Sequence, residues 1–145
     1  MPKVHIQSKD IEYAEGDVIT FDEGLVGLPH LRRLVIISQS EIHPFLWLAS
    51  VEEPETAFLV LEPHTHYGNY APSIPAQVRA RIQMTETEEP LLLAIARITA
   101  EWQCSTINLR APLVIAPSAM RGTQVVLSES NYRLDEPLAL LAEAA

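Results

Sequence analysis

The sequence has a single cysteine, Cys104, so the chain can form neither an internal disulfide nor a thiolate metal cluster. It lacks an apolar run of the roughly 20 residues that a membrane helix needs, and its N-terminus lacks the basic and then apolar pattern of a secretory signal. These absences predict a cytoplasmic protein without membrane association. They also favour a Cys104 that is buried as a small hydrophobic side chain rather than one that acts as a nucleophile.

Positive charge is scarce. Ten Lys and Arg stand against nineteen Asp and Glu, and the formal net charge is -9. Such a chain repels nucleic-acid phosphates and anionic lipids, so we expect basic protein partners and no direct nucleic-acid binding. The acidity is uneven, because residues 1–72 hold eleven acidic and four basic residues, with Glu52, Glu53 and Glu55 close together.

The sequence also lacks the patterns that indicate a catalytic or cofactor site. The five glycines form neither of the glycine-rich phosphate-binding patterns, and no serine stands in a Gly-x-Ser-x-Gly elbow. His64 and His66 are the only closely spaced imidazoles, but no third metal ligand is specified beside them. We therefore expect no catalytic residue, no metal and no cofactor. A small-molecule-binding β-barrel or an uncharacterised hydrolase is the alternative.

What the sequence does contain is a series of short apolar runs, bounded by Gly, Pro, Asn, Ser or charged residues, which is typical of strands. They predict a mainly β, compact single-domain, β-barrel-like fold with one or two short helices. Leu91–Ile98 is apolar at nearly every position and should be central, whereas the short Val18–Phe21, between Asp17 and Asp22, should be an edge. The predicted strands are Val4–Ile6, Val18–Phe21, Leu34–Ile37, Phe45–Ala49, Ala57–Leu61, Leu91–Ile98, Leu113–Ala116 and Gln124–Leu127.

Two segments carry helix signals. Residues 75–84 alternate like a strand, but Ser73 as a possible N-cap and Pro75 in the first turn favour a short helix. The leucines and alanines of the C-terminal tail, residues 138–145, also favour a short helix. We assign the folded domain to residues 1–137 and treat the tail separately.

Aromatic residues mark a long connection, Glu62–Ser73, which contains Tyr67 and Tyr70. Amphipathic aromatic side chains on a loop supply contact area at low ordering cost, so this connection is a candidate protein-binding surface. The alternative is a loop that folds onto its own core. For both tryptophans, Trp47 and Trp102, we expect burial in the core.

Several separated segments, taken in order along the chain, resemble the FliW family of flagellar assembly factors. The most specific of them is Thr106–Ile115, which is similar to the family's Thr-Ala-Asn-Leu-x-Ala-Pro-Ile-Val-Ile. Together the matching segments extend from about the first strand to Pro137. The others are Phe21–Leu28 with Leu31–Arg33, Pro44–Val51, Phe58–Pro63, and Gly122–Leu127 followed by Tyr132.

The resemblance implies a β-barrel-like protein that binds two partners, flagellin and the translational repressor CsrA. Flagellin competes for the factor, so secretion of flagellin frees the factor to antagonise CsrA, and flagellin synthesis resumes. This is a partner switch without covalent chemistry. An RNA-binding repressor presents basic surface to phosphates, so Glu52, Glu53 and Glu55 are the predicted contact with CsrA.

Four residues of the matching segments are expected to act structurally. Gly24 and Gly27 should permit the turns of their segment, because glycine adopts backbone conformations that other residues avoid. Asn108 should tie a bend through its side chain, and Pro112 should start the strand that follows.

Overall fold

The structure, a computed structural model, describes residues 2–138 of the chain. Within this range the chain forms short strands and one α-helix, α1 (Ala76–Arg81). Short 3-10 helices cover Glu15–Asp17, Ser40–Ile42, Pro63–Thr65 and Trp102–Cys104. The strands are β1 (Lys3–Ile6), β2 (Lys9–Glu12), β3 (Val18–Phe21), β4 (Arg33–Ile37), β5 (Leu46–Ser50), β6 (Ala57–Leu61), β7 (Leu91–Arg97), β8 (Thr106–Ile107), β9 (Leu113–Ala116), β10 (Arg121–Gln124) and β11 (Glu136–Pro137).

Seven of the described strands close into a barrel in the order β3, β4, β5, β6, β7, β9, β10. Neighbouring strands are antiparallel except β10 and β3, which are parallel and close the ring. β8 pairs with the end of β7, and β11 pairs with β8. β1 and β2 form a separate hairpin. The prediction of a mainly β, barrel-like fold is confirmed.

Apolar side chains fill the barrel interior. Alternation along β7 directs Leu91, Leu93 and Ile95 inward, where Leu93 is fully buried. Phe21 of β3 reaches the same core and leaves no room for a side chain on β10, because a Cβ added at Gly122 would lie 2.8 Å from its ring. The barrel is therefore a packed core, unlike barrels that enclose a ligand cavity.

The outer face of the barrel wall is covered in three places. The β1–β2 hairpin packs on β4 and β5, where Val4 and Ile6 join Val35 and Ile37 in one buried cluster. The long connection after β6 packs on β6, β7 and β8, and the residues following α1 pack on β9. Both faces of the central strands are thus buried, which explains their nearly continuous apolar sequences.

Strand β3 is not an edge, and this prediction is wrong. β3 lies between β4 and β10, with Thr20 paired to Arg33 on one side and to Arg121 on the other. The flanking Asp22 does not block pairing, because its carboxylate accepts hydrogen bonds from the Arg121 guanidinium at 2.8 and 3.0 Å. Barrel closure supplies the second neighbour that the short run did not reveal.

The predicted strand Gln124–Leu127 is displaced towards the N-terminus. The observed strand is β10, Arg121–Gln124, and Val126 lies beyond it with half of its surface exposed. Hydrophobicity suggested the later segment. Packing selects the earlier segment, because only a glycine at position 122 leaves room for the ring of Phe21.

The second strand of the hairpin was not predicted. β2 reads Lys-Asp-Ile-Glu, with Ile11 as its one apolar residue. The two-residue turn before it uses Gln7 and Ser8 at φ 50 and 65, whereas hairpin turns of this kind usually carry Asn or Gly. β8 and β11 were missed because each contains two residues.

The helix predicted within residues 75–84 is confirmed as α1. Its N-cap is Pro75, and no side chain caps it, so the expected capping by Ser73 is wrong. Of the tail, Leu138 is buried and its N–H donates to the Ser105 carbonyl at 3.0 Å. The rest of the predicted tail helix lies outside the described residues.

Two burial predictions fail at the 3-10 helix Trp102–Cys104. Cys104 is exposed, and Trp102 keeps 38% of its surface in solvent. Trp47 is half-buried against the outer cluster beneath the hairpin, and its indole N–H donates to the Gln39 side chain at 3.1 Å. No helix in the described part of the chain has the length and apolarity needed to cross a bilayer.

Candidate functional site

One end of the barrel gathers the connections that follow β3, β5 and β7. The connections 22–32, 51–56 and 98–112 all meet there, because neighbouring antiparallel strands enter and leave at the same end. We call this end the mouth. It combines the turn after β3, the acidic loop after β5 and the bend before β9.

An apolar groove opens at the mouth, between β6 and β7. The pairing of these strands ends at Val60 and Ile95, two residues before Phe58 and Arg97 would face each other. The space beyond has a volume of about 540 Å³. Inward-facing side chains of the barrel core form its floor: Leu25, Leu28, Phe58 and Ile95.

Exposed apolar side chains form the rim of this groove. Val26, Val126 and Leu134 keep 60%, 50% and 60% of their surfaces in solvent. They come from the turn after β3, the segment after β10 and the segment before β11. Exposed aliphatic side chains that border one concavity are typical of a protein-binding surface.

Positive charge lines the same groove. Arg97 is exposed and continues the inward-facing register of Leu93 and Ile95 on β7, and it forms no ion pair with any residue in the range 2–138. Arg110 is half-buried and donates from Nη2 to the Ser128 carbonyl at 3.0 Å. The acidic member, Asp135, is paired with the Arg133 guanidinium at 3.3 Å.

The Gln124 side chain connects two segments that line the groove. Its Oε1 accepts the Val26 N–H at 2.8 Å, and its Nε2 donates to the Ala111 carbonyl at 3.0 Å. No sequence pattern singled out Gln124 as a functional residue. Its place in the matching segment Gly122–Leu127, at the end of a strand, was the available signal.

Glycines shape the turn that carries Val26. Leu25 and Leu28 exchange backbone hydrogen bonds at 2.8 and 3.1 Å across this turn. Gly24 and Gly27 both adopt positive φ, at 67 and 78. Their surroundings differ. A Cβ added at Gly24 would lie 2.5 Å from the Pro29 carbonyl oxygen, whereas a Cβ added at Gly27 would have no atom within 4 Å.

The opposite wall is the bend at Asn108. Its Oδ1 accepts the N–H groups of Arg110 at 3.1 Å and Ala111 at 3.0 Å, and its own N–H donates to the Ile95 carbonyl at 2.9 Å. The side chain therefore ties a local bend. Pro112 is buried directly before β9, and its carbonyl accepts the Val125 N–H at 3.0 Å.

The acidic loop also lies at the mouth, but its carboxylates are engaged in local structure. Glu52 Oε1 accepts the N–H groups of Arg32 and Arg33 at 3.1 and 3.0 Å. Glu53 contacts the His30 Nε2 at 3.0 Å. All the glutamates of this loop stay exposed to solvent.

Glu55 joins the same loop to the β1–β2 hairpin. Its Oε1 accepts the Ser8 N–H at 3.0 Å and lies 2.8 Å from the His5 Nε2. The other ring nitrogen of His5, Nδ1, lies 2.7 Å from Asp10. These contacts show a structural role for the loop, and its predicted contact with a partner stays a prediction.

The tyrosines of the long connection fold onto the barrel wall. Tyr70 is 5% exposed, its hydroxyl donates to the Leu109 carbonyl at 2.8 Å, and its ring lies 4.7 Å from that of Tyr132. Burial, with a smaller contribution from Tyr132, raises the pKa of the Tyr70 phenol. Tyr67 is half-buried and donates to the Pro137 carbonyl at 2.7 Å. Tyr70 therefore offers little surface to a partner.

Titratable side chains are not gathered into a metal site in the described part of the chain. Over residues 2–138, no three His, Cys, Asp or Glu side chains come together in a way that would hold an ion. His64 Nε2 lies 3.6 Å from Glu62, at an exposed position.

The chain is similar in sequence to known proteins. Residues 5–138 match the FliW protein family. The flagellar assembly factor FliW of Caldanaerobacter subterraneus is 32% identical over 129 residues, which cover 88% of this chain and 86% of that protein. The corresponding protein of Geobacter sulfurreducens is 31% identical over 128 residues, with coverage of 88% and 80%.

The fold agrees with these sequence matches. A crystal structure of the flagellar assembly factor FliW superimposes with a TM-score of 0.85 at 29% sequence identity. The superposition covers 94% of this chain and 96% of that one. The similarity therefore includes the barrel, its outer coverings and the mouth.

Proposed function

Because this chain belongs to the FliW family, we propose that it is a cytoplasmic flagellar assembly factor that acts by binding other proteins rather than by catalysis. Its two partners are flagellin and the RNA-binding translational repressor CsrA. The observation that carries the proposal is the match over residues 5–138 together with the superposition on a FliW crystal structure.

The proposed mechanism is a partner switch. While flagellin accumulates, it occupies the factor and leaves CsrA active as a repressor of flagellin synthesis. When flagellin is secreted, the factor is released and binds CsrA, so synthesis resumes. The equilibrium is set by the difference between the two binding free energies and by the two partner concentrations.

Two features of the structure support a binding function. The barrel interior is filled by apolar side chains such as Leu48 and Leu93, which suits a rigid scaffold. The mouth presents an apolar groove beside an acidic loop, and proteins commonly bind through such exposed apolar surface with charges at its rim. We propose that Glu52, Glu53 and Glu55 steer the basic surface of CsrA towards the acidic loop.

The proposal is tested by calorimetry with the purified chain, flagellin and CsrA from the same bacterium. We expect the chain to bind each partner, and we expect saturating flagellin to suppress the heat of CsrA binding. A chain that binds neither partner would remove the proposed function. Simultaneous binding of both, with unchanged affinities, would retain the partners but exclude the switch.

A further inference from the structure

Exposed hydrophobic side chains are concentrated at the groove. In the described part of the chain, the large exposed hydrophobics are Val26, Ile98, Trp102, Val126 and Leu134. Three of these, Val26, Val126 and Leu134, border the groove whose floor continues the barrel core. An occupant that presents apolar side chains would cover both rim and floor at once.

The charge of the groove is opposite to that of the molecule. The chain carries a formal charge of -9, yet Arg97 and Arg110 line this surface, and the one acidic member, Asp135, is paired with Arg133. Arg97 stands at the end of the inward-facing row of β7 and has no carboxylate partner within residues 2–138. A partner that places a carboxylate beside it would gain a charge-assisted hydrogen bond next to apolar contacts.

We infer that the mouth groove docks an amphipathic segment of flagellin, with apolar side chains over Phe58 and Ile95 and a carboxylate on Arg97. This inference rests on the proposed function, since it takes its occupant from the two proposed partners. Charge decides between them. An RNA-binding repressor must present basic surface to phosphates, and such a surface is repelled by arginines, whereas an acidic amphipathic segment complements them.

Two groove substitutions test the inference against matched controls. Arg97→Glu reverses the charge, and Val126→Ser removes rim apolarity at a half-exposed position. Lys9→Glu makes the same change in net charge on the exposed hairpin strand β2, and Ile98→Ser removes an exposed aliphatic side chain that does not line the groove. Thermal melting establishes that each variant is folded.

Binding of purified flagellin and, separately, of purified CsrA is then measured by calorimetry. We expect Arg97→Glu and Val126→Ser each to weaken flagellin binding by about tenfold or more, while the two controls stay within about twofold of the wild type. Arg97→Lys should retain most of the affinity, because it keeps the charge. CsrA affinity should change little in the groove variants.

The outcomes separate this inference from the proposed function. Folded groove variants that bind flagellin as tightly as the wild type would overturn the inference and leave the proposed function standing. Loss of CsrA binding with intact flagellin binding would overturn the choice of occupant. A wild-type chain that binds neither protein would overturn both.

Discussion

The groove and the acidic loop lie at the same end of the barrel, but their polar groups are used differently. In the acidic loop, Glu52 and Glu55 accept hydrogen bonds from backbone N–H groups of other segments. In the groove, Arg97 has no ion-pair partner in the described chain, and the aliphatic side chains of Val26 and Leu134 are exposed. A cluster that is conspicuous in the sequence thus holds loops together, whereas residues dispersed along the sequence form the open apolar groove.

The physical reason for this difference is that carboxylates are good acceptors for the unpaired N–H groups of loops. The 51–56 loop connects two barrel strands and approaches both the 30–33 segment and the hairpin. A loop residue that satisfies backbone donors contributes to folding even when it is exposed. Binding energy then has to come mainly from surfaces whose groups are not already satisfied.

The largest expected effect is on the groove wall at Gly24. Gly24→Ala should destabilise the fold by about 3 kcal/mol, from roughly 1–2 kcal/mol for a left-handed alanine and roughly 1–3 kcal/mol for overpacking against Pro29. Gly27→Ala is the matched control. It has the same positive φ without the close contact, so it should cost only about 1–2 kcal/mol. Urea unfolding measures both, and equal losses would contradict the role of the Pro29 contact.

The next effect concerns the opposite wall. Asn108→Ala leaves the N–H groups of Arg110 and Ala111 without their acceptor and should cost about 1–3 kcal/mol of stability. Asn108→Asp keeps an acceptor oxygen and should recover most of the loss. Melting temperatures test this pair. An alanine variant that melts normally yet has lost one partner would show that Asn108 acts in binding rather than in the bend.

In the acidic loop, binding kinetics should change more than stability. Replacing Glu52, Glu53 and Glu55 together by Gln removes three charges and keeps an acceptor oxygen at each site. Because exposed charges steer encounter, association with CsrA should slow by roughly two- to fivefold, with a smaller effect on dissociation, and the salt dependence should weaken. Flagellin binding should respond less.

A control for that triple variant is available elsewhere on the chain. Glu86, Glu89 and Glu129 are exposed, and their replacement by Gln gives the same change in net charge away from the acidic loop. Stopped-flow association rates across a salt series compare the two triple variants. Equal rates in both would mean that net charge alone matters, and a flat salt response in the wild type would mean that the acidity serves solubility.

The smallest expected effect comes from a carboxylate at the opposite end of the barrel. Glu88 accepts the N–H and the hydroxyl of Ser118, both at 2.8 Å, and these bonds, the backbone one first, lower its pKa. Because the pKa is lower in the folded state, the ionised Glu88 stabilises the fold at pH values above the ordinary glutamate pKa of about 4.3. This contribution is lost as the pH falls through the lower pKa of the folded state.

Glu88→Gln should therefore lower stability near neutral pH and cost progressively less below about pH 4. Urea unfolding across this pH range measures the difference, with Glu89→Gln as a neighbouring exposed control. A loss of stability that is constant with pH would assign the effect to shape rather than to charge.

Much of the barrel could be predicted from the sequence because its strands are buried on both faces. The runs that became β4, β6, β7 and β9 are almost continuously apolar, and such runs have few alternatives to a central strand. Hairpin strand β2 could not be found in this way. Its polar residues face solvent, and its turn uses Gln7 and Ser8 at positive φ.

The fold class, the short helix α1, the bend at Asn108, the glycine turn and the family could be predicted from the sequence, since each depends on local residue types or on ordered motifs. The sequence could not show that β3 has two neighbours, that Tyr70 is buried or that Arg97 lines the same groove as Val126 and Leu134. These properties depend on which distant segments meet when the barrel closes, and no local pattern of residues encodes that meeting.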